Sequence, residues 1–260
     1  GMNPFLGAVF TFTTLLIAIP SAIKVFNYLT TLWKGNIKFS PAMLFSVGLV
    51  STFISGGVTG LILGNSTLDI NIHDTYFVIG HFHIVMGLTG VFGMIAGVYH
   101  WFPKMFGRMM NNKLGNLHFW VTIISAYGVF FPMHFLGLAG VPRRYYTNSE
   151  FPMFDNMVDI NEFISIFAIL ALIGQFVFMF NFIYSAFRGP KAPQNPWDAN
   201  ALEWTTPVEH IHGNWPGEIP EVYRWPYDYS KVDENGDYIG GKDFIPQVIP
   251  LGEGEKDGGH

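Results

Sequence analysis

Three histidines and an aspartate stand within the eleven-residue run His-Asp-Thr-Tyr-Phe-Val-Ile-Gly-His-Phe-His, residues 73–83, and the chain beyond is apolar as far as Pro103. His81 and His83 are two apart. On an α-helix that spacing is about 200° of rotation, so the imidazoles leave from nearly opposite faces. A pair sharing one metal ion would stand at i, i+4 on a single face. Opposed imidazoles on one apolar helix suit two separate large groups, one on each side. A neutral imidazole is a natural axial ligand for haem iron, and ionisable groups inside a membrane span are costly and tend to be functional. Two buried, hydrogen-bonded structural histidines are the plainer alternative.

His73-Asp74 precedes that helix at a water boundary. Asp74 or Thr75 could cap its first turn, and the same dipeptide could hold a hard divalent cation through imidazole and oxygen, with water completing the shell. Arg143-Arg144 follows Pro142 at the end of another apolar run. Adjacent arginines can snorkel to an interface or pair bidentately with carboxylates, and haem propionates are carboxylates. Lys24 lies between Ile23 and Val25, with Ser21 at i−3 on the same face. Snorkelling towards the interface near Lys34 stands there against a proton path lined by hydroxyl and amine. His100, His118 and His134 read as structural, the first two at an interface, and His210, His212 and His260 have no partner pattern. Nucleophile elbows, phosphate loops and paired catalytic carboxylates are missing. There is no cysteine, which excludes disulfides, thiolate metal sites and thiol nucleophiles.

These residues must be positioned by a membrane protein. Half of the 260 residues are hydrophobic, 17% are aromatic and only 13% are charged, against about 25% charged in a soluble domain. A spanning helix needs about 20 largely apolar residues. Five stretches qualify, 5–32, 41–63, 76–102, 115–139 and 160–187, and no β-type alternation supports a barrel. The expected fold is all-α: an integral-membrane bundle over 1–187 and an irregular polar tail over 188–260. The bundle carries eight Lys/Arg and six Asp/Glu, the tail six and thirteen. An acidic tail argues against a nucleic-acid partner.

Positive residues set orientation. Lys34 and Lys38, Lys104, Arg108 and Lys113, and Arg188 and Lys191 all fall on one side, which is therefore cytoplasmic or matrix. The opposite connections hold Arg143 and Arg144 with Asp69, Asp74, Glu150, Asp155 and Asp159. His73-Asp74 and Arg143-Arg144 thus share the outer side, although far apart in sequence. Gly56, Gly57, Gly60 and Gly64, and Gly90, Gly93 and Gly97, include GxxxG patterns that permit close helix approach.

The motifs His73-Asp74-Thr75-Tyr76, His81-Phe82-His83 and Phe131-Pro132-Met133-His134-Phe135-Leu136-Gly137-Leu138-Ala139-Gly140-Val141-Pro142-Arg143-Arg144-Tyr145 resemble subunit I of the heme–copper cytochrome c oxidases. So do residues 19–26 around Pro20 and Lys24, and the tail segments Asn195-Pro196-Trp197-Asp198 and Leu202-Glu203-Trp204-Thr205-Thr206. The five spans resemble helices eight to twelve of the family's twelve. The resemblance implies His81 as the axial ligand of the high-spin haem and His83 as one ligand of the low-spin haem, both haems of the a type. It implies His73 and Asp74 as magnesium ligands shared with subunit II, Arg143 and Arg144 as holders of haem propionates, and Asp69 as a carboxylate near a propionate. Lys24, with Ser21, matches the lysine-type proton channel.

Gly1-Met2 matches a dipeptide that in the family follows the copper-binding His-His pair. The chain is therefore expected to be a C-terminal fragment, without the copper ligands or the low-spin haem's second ligand, and inactive alone. Its implied partners are the missing N-terminal half of subunit I, subunits II and III, cytochrome c as electron donor and membrane lipid. The implied reaction is reduction of oxygen to water coupled to proton translocation, and the long acidic tail favours a bacterial cytoplasmic membrane over a mitochondrial one. A quinol-oxidising relative is the alternative within the superfamily, and an inert truncated membrane fragment the alternative outside it. A bis-histidine haem-b carrier would need facing histidine pairs on two helices, and no second span carries a central pair.

Overall fold

The computed structural model describes residues 2–33, 35, 37–147, 151–199, 201–206, 215, 218–223, 247–248 and 250. Lys34, Glu150, His210, His212 and His260 lie outside these. Among the described residues there is no β-strand, and five helical stretches are long and apolar enough to cross a membrane: Pro4–Leu32, Pro41–Gly64, Tyr76–Phe106, Asn112–Leu138 and Pro152–Arg188. In chain order the helices are α1 (Pro4–Leu16), α2 (Ala18–Leu32), α3 (Pro41–Gly64), α4 (Ser66–Ile72), α5 (Tyr76–Phe82), α6 (Thr89–Phe106), α7 (Asn112–Phe130), α8 (Pro132–Leu138) and α9 (Val158–Arg188), with a π-helical turn at His83–Leu88 between α5 and α6.

Prolines explain the interruptions. Pro20 has no N–H for the Leu16 carbonyl four residues back, and the first span divides there into α1 and α2. Pro132 deprives Gly128 in the same way and separates α7 from α8. Pro103 falls in the last turn of α6, where little ladder remains to be lost, and the helix runs on to Phe106. The connection expected at 64–75 holds a helix of its own, α4, capped by Asn65, whose Oδ1 accepts from Thr67 N at 3.0 Å.

The chain forms two compact units. The first comprises 1–30, 39–99 and 112–181. Its centre is aromatic: Phe45 meets Phe92 edge-on at 5.4 Å and Phe119 edge-on at 5.1 Å. His118 packs at 4.8 Å from Phe45 and bonds the Tyr99 hydroxyl through Nδ1 at 3.2 Å. His118 is fully buried, closed in by three aromatic rings. Ser51 and Ser55 of α3 meet the Tyr127 hydroxyl of α7 at 3.1 and 2.9 Å. A second cluster of Val129, Leu136, Val141, Phe154 and Ile164 closes the far end of α7 and α8 against α9.

The second unit comprises the described residues within 31–38, 100–111 and 182–260. Its described tail, though irregular, is held by specific bonds. Trp197 stacks on His100 at 5.5 Å and donates Nε1–H to the His100 carbonyl at 3.1 Å. Lys104 lies over the Trp204 ring and donates to Thr206 Oγ1 at 2.6 Å and to the Glu203 carbonyl. Arg108 donates to Gly189 O at 2.6 Å, and Lys38 pairs with Asp198 at 3.1 Å.

Candidate functional site

Thr75 starts the helix that carries the histidines. Its hydroxyl accepts from Phe77 N at 3.3 Å as the N-cap of α5, and Asp74 is left outside the helix in left-handed backbone, φ 56°. Two close approaches then seat α5 on α8. A Cβ on Gly80 would lie 2.9 Å from both the Phe130 carbonyl and the His134 ring, and one on Gly137 would overlap the Phe77 backbone. Only glycine admits this spacing.

His81 turns toward α3. Its Nδ1 lies 2.9 Å from the Gly56 carbonyl and 3.0 Å from the Thr59 hydroxyl, and Thr59 itself donates to Gly56 O at 2.7 Å. Gly60 lies beneath the ring, where a Cβ would come within 2.9 Å of Cε1. His83 turns elsewhere. Its Nδ1 reaches Ile79 O at 2.9 Å, and its ring stacks on Phe130 of α7 at 4.8 Å and 9°. A carbonyl only accepts, so in both neutral rings Nδ1 is the donor and the lone pair sits on Nε2. Neither Nε2 has a hydrogen-bond partner among the described residues. An imidazole tied through one nitrogen with the other free is the arrangement a metal-ligating histidine requires. The two rings therefore fit axial ligation of two haems.

The remaining predicted residues divide. Residues 74 and 143 meet: Arg143 N donates to Asp74 O at 2.9 Å, Arg143 Nε donates to Asp74 Oδ1 at 2.7 Å, and Nη2 donates to the same oxygen. Tyr76 N bonds Val141 O at 3.1 Å beside them. His73 stands between Asp69, 3.6 Å from Nδ1, and Asp74, 3.4 Å from Nε2. Among the described residues no three His, Asp or Glu side chains converge tightly enough to hold a metal ion. His73 and Asp74 offer two donors, fewer than a hard divalent ion takes, and Arg143 engages one of the Asp74 oxygens. Arg144 adopts left-handed backbone, φ 73°. Lys24 is exposed, Ser21 Oγ donates to Ile17 O at 3.0 Å, and no hydrogen bond joins the two side chains.

Thr59, the Gly56 carbonyl, Phe130 and the π turn at His83 had no distinguishing signal in the sequence. Thr59 is one hydroxyl among several on α3, and only packing shows which one meets His81.

The Arg143 hydrogen bond, aided by its charge, holds the Asp74 carboxyl below its ordinary value. A depressed carboxylate stabilises the fold fully above the unfolded pKa, about 3.9, and that stabilisation is lost as pH falls through the folded value. Thermal melts of the purified protein should therefore drop more steeply below about pH 4 in the wild type than in Asp74→Asn. Identical acid limbs in the two would remove the pair from the account.

An all-helical membrane bundle with two imidazoles presented from one span is the class that this fold and site define. Residues 1–177 match the family model described as cytochrome C and quinol oxidase polypeptide I, and the chain belongs to that family. It is 47% identical over 252 residues to the alternative cytochrome c oxidase subunit 1 of Bradyrhizobium diazoefficiens, covering 96% of this chain and 42% of that protein. It is 43% identical over 231 residues to cytochrome c oxidase subunit 1 of Thermostichus vulcanus, covering 88% and 41%. The chain thus spans about two fifths of the length of these curated relatives. A heme-copper terminal oxidase dimer solved by cryo-EM shares the fold, with a TM-score of 0.64 at 20% identity over 74% of this chain and 38% of that one.

Proposed function

We propose that this chain forms part of the catalytic subunit of a respiratory terminal oxidase that reduces oxygen to water with electrons from cytochrome c. His81 binds the high-spin haem and His83 one side of the low-spin haem, both of the a type. The observation that carries this reading is the opposed pair, His81 turned to α3 and His83 to Phe130 of α7, each with Nδ1 held by a main-chain carbonyl and Nε2 left free. His134 has the same ring state but not as one of such a pair. When bound, the haems supply the electron transfer and, with copper, the oxygen chemistry. The chain's own residues hold and orient. Gly56 O and Thr59 fix the His81 plane, Ile79 O and Phe130 fix that of His83, and Gly60 leaves room beside His81.

Arg143 and Arg144 face propionates in this reading, with Asp69 nearby, and Arg143 is already braced by Asp74. His73 and Asp74 supply two magnesium ligands, the others coming from subunit II. Ser21 and Lys24 line a proton entry from the inner side. The remaining haem ligand and the copper ligands belong to the rest of subunit I, and the assembly includes subunits II and III in a bacterial cytoplasmic membrane. The relatives described above are cytochrome c oxidases, which supports cytochrome c over quinol as donor.

The test is a reduced-minus-oxidised optical spectrum of membranes expressing this chain with and without the preceding half of a matching subunit I. Haem bands are expected only when both are present, with oxidation of reduced cytochrome c and not of quinol. A chain that never acquires haem in the full assembly would refute the proposal.

A further inference from the structure

The ligand helix does not continue regularly after His83. Residues 83–88 form a π turn, and such widened turns shift carbonyls out of the ordinary α ladder and are frequent at functional sites. Ile84, within it, is 1% exposed, so its carbonyl lies away from solvent. The Thr89 hydroxyl stands 3.2 Å from Ile84 O and 3.1 Å from the hydroxyl of Thr52 on α3. Thr52 is completely buried and also lies 3.0 Å from Gly48 O and from Leu49 O. Two hydroxyl hydrogens cannot serve every acceptor. Gly48 O and Leu49 O lie in the regular ladder of α3, where main-chain amides serve them, whereas Ile84 O lies in the widened turn. Thr89 Oγ1 donates its one hydrogen to Ile84 O, so towards Thr52 it is the acceptor, and the proton order runs from Thr52 to Thr89 to Ile84 O.

The geometry points to Thr89 and Thr52 as positioning residues that hold the π turn and thereby the tilt of His83. Neither side chain bonds the imidazole. Collapse of the turn to α-helix would shift the register by one residue, about 100° and 1.5 Å. Phe92, fully buried against Phe45, anchors α6 beyond the turn. With α5 also held on α8 at Gly80 and Gly137, the misfit falls within the turn at His83, where it begins, and tilts that ring off Phe130. The inference deepens the proposed function and rests on His83 being a ligand of the low-spin haem.

The experiment uses the complete oxidase carrying Thr89→Val, Thr89→Ser or Thr52→Val, read by total haem content and by the low-spin electron paramagnetic resonance signal. Thr89→Val should keep both haems and shift or broaden the low-spin signal, leaving the high-spin haem unchanged. Thr89→Ser should restore the signal, and Thr52→Val should shift it in the same direction by a smaller amount. An unshifted signal in Thr89→Val overturns the inference. If that variant fails to assemble, Thr52→Val decides, and an unshifted signal there overturns it equally. Absence of a low-spin signal from the wild type, or its survival in His83→Ala, would instead overturn the haem reading beneath it.

Discussion

With alanine in place of His83, the assembled oxidase is expected to lose its low-spin haem bands entirely while keeping the high-spin haem. The separation follows from the two rings having different supports. His83 is held by Ile79 O within its own helix and by the Phe130 ring, whereas His81 is held by Gly56 and Thr59 of α3. Removing the first ring leaves the second ring's hydrogen bonds untouched. His81→Ala should give the complementary spectrum, losing the high-spin signal alone. Total haem by extraction distinguishes a missing haem from a silent one. A normal low-spin spectrum in His83→Ala would break the assignment, and with it the function proposed for this chain.

The second large effect is expected from a single methyl group at Gly56. A Cβ there would stand 2.6 Å from Val85 N and 2.7 Å from Val85 Cα. These are main-chain atoms of the π turn and cannot swing aside as a side chain could. The same residue's carbonyl holds His81, so moving α3 away from the ligand helix also disturbs that ring. Overpacking of a tight interior costs about 1–3 kcal/mol, occasionally more, and a contact of backbone against backbone belongs at the upper end. Gly56→Ala should markedly lower the melting temperature and reduce high-spin haem incorporation. Gly57→Ala is the internal control, because a Cβ at Gly57 meets nothing within 4 Å. Equal melting of the two variants would show that the close approach of α3 to the turn is unimportant.

The small residues illustrate how far sequence alone reaches. Gly56, Gly57 and Gly60 read alike as a GxxxG-type surface for close helix approach. Packing separates them: Gly56 abuts main chain, Gly60 lies under His81, and Gly57 is open. In the third span, a Cβ on Gly93 would come within 3.1 Å of Leu49 Cδ1, while one on Gly90 would meet nothing within 4 Å. The arginine pair divides likewise. Snorkelling and pairing with propionates both suit Arg143 and Arg144 on sequence, and the fold adds a partner that the sequence does not name, the Asp74 carboxylate beneath Arg143.

What the chain determined locally is everything that depends on neighbours within a turn or two. Runs of apolar residues long enough to cross a bilayer mark the five spans, and Pro20 and Pro132 interrupt two of them by removing an N–H. Thr75 caps α5 because its hydroxyl is one residue from the helix it starts. The spacing of His81 and His83 sends their rings to different neighbours. Only the tertiary structure decided which atoms receive those rings, that a π turn follows His83, that His118 is enclosed, and that Arg143 braces Asp74. The physical reason is that helices bound for a membrane are apolar on nearly every face, so periodicity does not say which face meets which neighbour. That choice is made where a missing side chain lets backbones touch and a buried polar group finds its partner across the resulting contact.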